Sequence, residues 1–269
     1  MAQAHAISFM TANFVARELG YAMTGPWAQG DAATQERFRP IETFAERFDE
    51  MLSEVTALGY RAIDLWSAHL NGAWATDRHL EIAREALARR SLPVLSLGGG
   101  FGDTLETFEG FCRIAAALDC PALGGRTPLL ASERERVTDL LGRYGLRLGI
   151  ENHPERDPQE VLDQIGDTGR GTLGTAIDTG WWATQGVDPA GAITALRGHL
   201  VHVHLKDVRS EGLPHETCRW GEGIVDIAAC VRALQEVGYA GGLCVEHEPE
   251  HEDPRDDCRA MLDMLRDWL

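Results

Sequence analysis

Apolar positions along the chain follow two rhythms, alternation over short runs and a three-to-four spacing over longer ones. The short runs predict eight strands: AISFMT (Ala6 to Thr11), RAIDLW (Arg61 to Trp66), PVLSLGG (Pro93 to Gly99), PALGG (Pro121 to Gly125), LRLGIE (Leu146 to Glu151), LGTAID (Leu173 to Asp178), HVHLKDV (His202 to Val208) and GGLCVE (Gly241 to Glu246). Helical stripes lie between them. Phe44, Phe48, Met51, Leu52, Val55 and Leu58 form one, ended by Gly59. Others fall near 77–89, from Phe108 to Leu118, near 132–143, 158–166 and 188–197, and from Ile227 to Val237. A last stripe of Cys258, Met261, Leu262, Leu265 and Trp268 follows Asp253-Pro254, a cap with proline at the first helical position. One connection breaks the rhythm: about 30 residues after the first strand, with Trp27 and Phe38, read as a long loop.

Eight βα units with no linker predict a single α/β domain over 1–269, a (β/α)8 TIM barrel. An open doubly wound sheet is the alternative, but no GxGxxG follows the first strand.

The last four predicted strands share a phase. Leu148 and Ile150 oppose Glu151; Leu173, Thr175 and Ile177 oppose Asp178; Val203 and Leu205 oppose His202, His204 and Lys206; Leu243 and Val245 oppose Cys244 and Glu246. The apolar phase suits a face covered by helices, and each polar phase ends at the C-terminal mouth, where barrel enzymes keep their chemistry. Neighbouring strands lie ~4.8 Å apart, so Glu151, Asp178, His204 and Glu246 can converge. Three carboxylates and an imidazole without a thiolate suit Mg²⁺ or Mn²⁺, with Zn²⁺ or Co²⁺ as alternatives. Taken singly, Asp178 reads as a turn cap and His202 or His204 as core histidines; the shared phase is what favours a metal site.

Composition mainly excludes. A net charge of −17 opposes a nucleic-acid partner, which needs basic residues against phosphate. No run approaches the ~18 apolar residues of a membrane span, and MAQAHAISFM does not read as a signal peptide. The six cysteines, at 112, 120, 218, 230, 244 and 258, contain no CxxC pair; they predict reduced thiols and a cytoplasmic protein.

LGIENHPE, AIDTGWW, HVHLKDV and GYAGGLCVEHEPEHEDP resemble the sugar-phosphate isomerase/epimerase superfamily, the xylose-isomerase-like barrels. These include ketose 3-epimerases, hydroxypyruvate isomerase, inosose and dehydroshikimate dehydratases and, more distantly, endonuclease IV. The resemblance is strongest from Leu146 to Pro254. It implies the same four metal ligands, with Glu151 and Glu246 also the acid/base pair, and His153 as the histidine that follows the first ligand. The chain departs from the pattern where many members carry a substrate-contacting histidine, three residues past the aspartate; Trp181 stands there, and Trp182 after it. An aromatic platform at that point suits a sugar ring or a bulkier group.

A divalent cation bound by a carbonyl and its neighbouring hydroxyl would acidify the adjacent C–H. One glutamate could then remove that proton and the other return it through an enediolate stabilised by the cation. Loss of a β-hydroxyl from the same enolate would make the chain a dehydratase or lyase. The expected partner is a small sugar or polyol, with a homo-oligomer expected by analogy alone. His153, Lys206, Trp181, Arg219 and His69 are the candidate substrate contacts. Lys206 reads rather as an ion-pair partner of one of the ligand carboxylates, and His69 rather as a loop residue. Arg209 is a further basic candidate. His247, Glu248 and His251 read as a solvated loop, and GEG at 221–223 as a weak phosphate cradle. A repair nuclease would need more metal-binding histidines, and a non-catalytic sugar-binding barrel would not need all four ligand positions.

Overall fold

A computed structural model describes residues 5–167 and 171–269. Eight parallel strands close into a barrel in chain order: Ile7–Met10, Ile63–Trp66, Val94–Gly100, Ala122–Arg126, Arg147–Glu151, Leu173–Asp178, Leu200–Leu205 and Leu243–Val245, the eighth pairing with the first. Helices fill the connections, as the alternating periodicities predict.

Ladder register shows why the polar phase points inward. Glu151 lies opposite Ala176, Ala176 opposite His202, Asp178 opposite His204, and His204 opposite Cys244. Paired residues on parallel strands share a face, so the ligand-type residues of all four strands point the same way. An irregularity between the sixth and seventh strands, at Thr175/Ala176, brings His202 and His204 into that phase. The opposite phase, including Leu148, Ile150, Val203, Leu205, Leu243 and Val245, is buried in the hydrophobic core with the helices. Gly124 leaves room inside the barrel: a Cβ there would meet the Ser96 hydroxyl at 3.2 Å and the His202 ring at 3.8 Å.

The helix Ile41–Leu58 buries the six predicted stripe residues and ends at Gly59, whose φ of 102° favours glycine. The last helix, Arg255–Trp268, buries Cys258, Met261, Leu262 and Leu265. The connection after the first strand is not a plain loop: it holds two 3-10 turns and the helix Ala28–Phe38. That helix buries Gly30, Thr34 and Phe38, a small-and-polar face that apolar periodicity does not reveal. Trp27, just before it, is 37% exposed and packs edge-to-face on Trp66. A second addition is the short helix Thr179–Thr184, directly after the sixth strand.

The seventh strand stops at Leu205. Asp207–Val208 instead forms a small antiparallel ribbon with Thr217–Cys218. Asp207 is fully buried and accepts backbone N–H groups from Val208, Gly221, Gly223 and Val225 at 2.8–3.1 Å. The two glycine amides of GEG are therefore spent on Asp207 and the Glu222 amide on the Arg219 carbonyl, so the three do not form an open phosphate cradle. Asp207→Asn would set an amide donor against backbone donors, and we expect a loss of about 2–3 kcal/mol, read from the denaturant midpoint; a loss below ~0.5 kcal/mol would show that the loop does not depend on this carboxylate.

Candidate metal centre

Each of the four predicted ligands is held by local structure. Glu151 ends the fifth strand. Asn152 beside it donates from its side-chain amide to the Asp178 carbonyl and accepts the Asp178 N–H, both at 2.9 Å, locking the two strand ends together. Asp178 caps the helix Thr179–Thr184, its Oδ1 accepting the Trp181 N–H at 2.9 Å. The cap uses Oδ1 alone and leaves Oδ2 turned to the Lys206 ammonium at 3.0 Å. Thr179 staples the end of the seventh strand, donating to the Lys206 carbonyl at 2.7 Å and accepting its N–H at 2.8 Å. The Glu246 N–H donates to the Leu205 carbonyl at 3.1 Å, placing the last carboxylate beside His204.

The four side chains converge. One ligand atom each from Glu151, Asp178, His204 and Glu246 lies within 4.8 Å of the other three, and all four residues are buried. His204 Nδ1 is 2.6 Å from Glu151 Oε1 and 3.4 Å from Glu246 Oε2. Asp178 Oδ2 and Glu246 Oε2 are buried, with the Lys206 ammonium near them at 3.0 and 3.2 Å. Three convergent buried carboxylates and an imidazole fit a divalent cation, and the donor set suits Mg²⁺, Mn²⁺, Zn²⁺ or Co²⁺.

Lys206 supplies the positive charge seen among these carboxylates. Its ammonium lies 3.0 Å from Asp178 Oδ2, 3.2 Å from Glu246 Oε2 and 2.9 Å from Glu248 Oε2, and its side chain is only 3% exposed. Burial alone would lower the lysine pKa, but Asp178, Glu246 and Glu248 outweigh it and hold the group well above its ordinary value. Burial would raise Asp178, yet Lys206 pulls it down to about 2. The glutamates move apart. Burial pushes Glu246 well above the usual carboxylate range, whereas at Glu151 the pull of His204 overcomes burial and the net shift is downward. His204 is held up to about 10, burial being outweighed by Glu246 and Glu151.

Beneath the mouth, His202 pairs with the fully buried Asp64, and Asp64 Oδ2 also lies 4.0 Å from His204 Nε2. At the rim, His153 Nε2 is 3.9 Å from Glu151 Oε2, and its ring tilts against Trp181 at 4.8 Å. Trp181 is not an open platform, because His215 stacks on it with centroids 3.8 Å apart and planes within 6°. His215 Nδ1 is 2.7 Å from the Thr184 hydroxyl, while Nε2 is buried without a partner. Burial and the nearby Lys206 press this imidazole down to about 3.

His69 does not join the cluster; it is enclosed against Phe38 and Trp66 with Nδ1 3.1 Å from the Thr11 hydroxyl, and burial lowers it to about 3. Arg219 is exposed beyond Cys218, and Arg209 pairs at the surface with Glu216 and Glu222. The segment read as a solvated loop is largely enclosed: His247 is fully buried and Glu248 holds Lys206, leaving only His251 exposed. Sequence reading also missed Asn152, Thr179, His215 and Asp64. Only Asn152 carried a signal, its place directly after Glu151.

An eight-stranded parallel barrel with ligand-type side chains gathered at its C-terminal mouth defines the class of protein. Residues 16–268 match the model of the xylose isomerase-like TIM barrel family, and the chain belongs to that family. It is similar to L-ribulose-5-phosphate 3-epimerase UlaE of Escherichia coli, 37% identical over 73 residues, 27% of this chain and 24% of that protein. It is also similar to inosose dehydratase of Lacticaseibacillus casei, 25% identical over 139 residues, 45% of this chain and 46% to 47% of that protein. The chain spans less than two thirds of the length of these curated relatives. Among solved structures, the IolI protein with a bound zinc atom superposes with a TM-score of 0.68 at 14% identity, over 98% of this chain and 97% of that one. Among the described residues no helix is long and apolar enough to cross a membrane, and all six cysteines are free and buried.

Proposed function

We propose that the chain is a divalent-metal-dependent sugar isomerase or epimerase acting next to the carbonyl of a keto-sugar or related polyol. The observation that carries this reading is the convergence of Glu151 and Glu246 on His204 and Asp178, from strands on either side of them. Mg²⁺ or Mn²⁺, with Zn²⁺ or Co²⁺ as alternatives, would be held by those four residues and would polarise the carbonyl and acidify the adjacent C–H. One of the two glutamates, Glu151 or Glu246, removes the proton and the other returns one from the other side of the substrate, which inverts the carbon. His153 and Lys206 contact substrate oxygens, and the Trp181–His215 stack walls one side of the site. The six free thiols support a cytoplasmic location.

One observation favours a second reading, a dehydratase or lyase expelling a leaving group through the same enolate: the similarity to an inosose dehydratase over 45% of this chain. A panel of ketoses and cyclic polyols in deuterated water, with metal-replete protein, tests both readings. Solvent deuterium at the carbon next to the carbonyl supports the first, and ultraviolet absorbance from an enone product the second. Full metal loading with neither signal across the panel would sink both.

A further inference from the structure

Directly after Glu246 the chain turns its next side chain away from the barrel mouth. His247 is 0% exposed, and its backbone N–H is tied to Asn13 Oδ1 at 2.8 Å. Neither ring nitrogen has a hydrogen-bond partner. Nε2 lies 3.4 Å from Asp257 Oδ2, close but without hydrogen-bond alignment. Asp257 sits in the first turn of the helix Arg255–Trp268, and Glu252 in the loop before it. One ligand atom from each of His247, Glu252 and Asp257 lies within 4.8 Å of the other two.

An imidazole enclosed with both nitrogens unpaired is unfavourable unless something satisfies it. What faces it is a pair of carboxylates, one partly and one fully exposed. One nitrogen and two carboxylate oxygens within 4.8 Å of one another make a three-ligand set, a composition that zinc-class cations accept. An ion pair with Asp257 alone would leave Glu252 without a role and the ring nitrogens misaligned.

We propose that His247, Glu252 and Asp257 form a second divalent-cation site of the zinc class, on the outer side of the loop whose inner side carries Glu246. It shares no residue with the mouth cluster and does not depend on the proposed reaction. Occupancy would tie this loop to the last helix and steady Glu246 from behind.

Metal-stripped protein titrated with Zn²⁺, with bound metal counted by elemental analysis, decides the matter. Wild type is expected to bind two equivalents. The Glu252→Gln/Asp257→Asn variant alters only residues at or near the surface, so its fold should persist, as circular dichroism would verify; it is expected to keep one equivalent. Asp178→Asn/Glu246→Gln, which cripples the mouth, is expected to keep the other. One equivalent in wild type that survives in Glu252→Gln/Asp257→Asn would overturn the second site and leave the mouth centre standing. Two equivalents in that variant would overturn it as well. No binding at all by wild type would remove both sites.

Discussion

Glu246→Gln lowers proton exchange at the substrate carbon by about 10²–10⁴-fold, the usual contribution of a general acid or base. That corresponds to ~3–5 kcal/mol of barrier. The amide keeps nearly the same shape and an oxygen able to ligate, but it cannot carry a proton. Its position, with Oε2 3.4 Å from His204 Nδ1 and 3.2 Å from the Lys206 ammonium, suits both proposed roles, ligand and proton carrier. The two roles are separated by counting bound metal in the variant beside its exchange rate. A full complement of metal with exchange lost supports the acid/base role. Metal and exchange lost together show Glu246 to be needed for holding the metal, and exchange at the wild-type rate with metal bound would remove it from the chemistry. Glu151→Gln is the matching test on the other side of the site.

The convergence of four side chains was legible because barrel strands convert sequence parity into direction. Glu151, Asp178, His204 and Glu246 share the inward phase, and Val203, Leu205, Leu243 and Val245 share the outward one. Parity cannot reveal what a loop folds back to deliver. His215 reaches Trp181 from a segment with no periodicity, and nothing before it in the chain marks it as a site residue. Asp64 sits in the predicted second strand, but its partner His202 is five strands later in sequence, so the pairing exists only after closure. His247 illustrates the opposite failure. A histidine among Glu248, Glu250 and Glu252 looks solvated, yet the return of the last helix covers it. The helix Ala28–Phe38 escaped because its buried stripe is Gly30, Thr34 and Phe38, two of which carry no hydrophobic signal.

Lys206→Met destabilises the metal-free protein by about 3–5 kcal/mol, the cost of breaking a buried ionic cluster by removing one partner. The side chain lost is an ammonium 2.9–3.2 Å from three carboxylates. Methionine fills most of the volume, so the loss reports charge more than packing. For a chain of this size each kcal/mol shifts the melting temperature by roughly 2–4 °C, so the variant should melt on the order of 10 °C earlier. Two further outcomes follow from the same geometry. Glu248→Gln in the Lys206→Met background should recover part of the loss, because it removes one of the stranded negative charges. The variant should also bind a divalent cation more tightly than wild type, since Asp178 Oδ2 and Glu246 Oε2 no longer have an ammonium to share. Metal adds ~4 kcal/mol at about 1,000 times the dissociation constant of a chain that binds it only when folded, so at one fixed metal concentration the tighter-binding variant gains more than wild type and its deficit shrinks. A melting temperature unchanged by Lys206→Met would mean that the ammonium does not hold the carboxylates together in solution, leaving contact with substrate as its role.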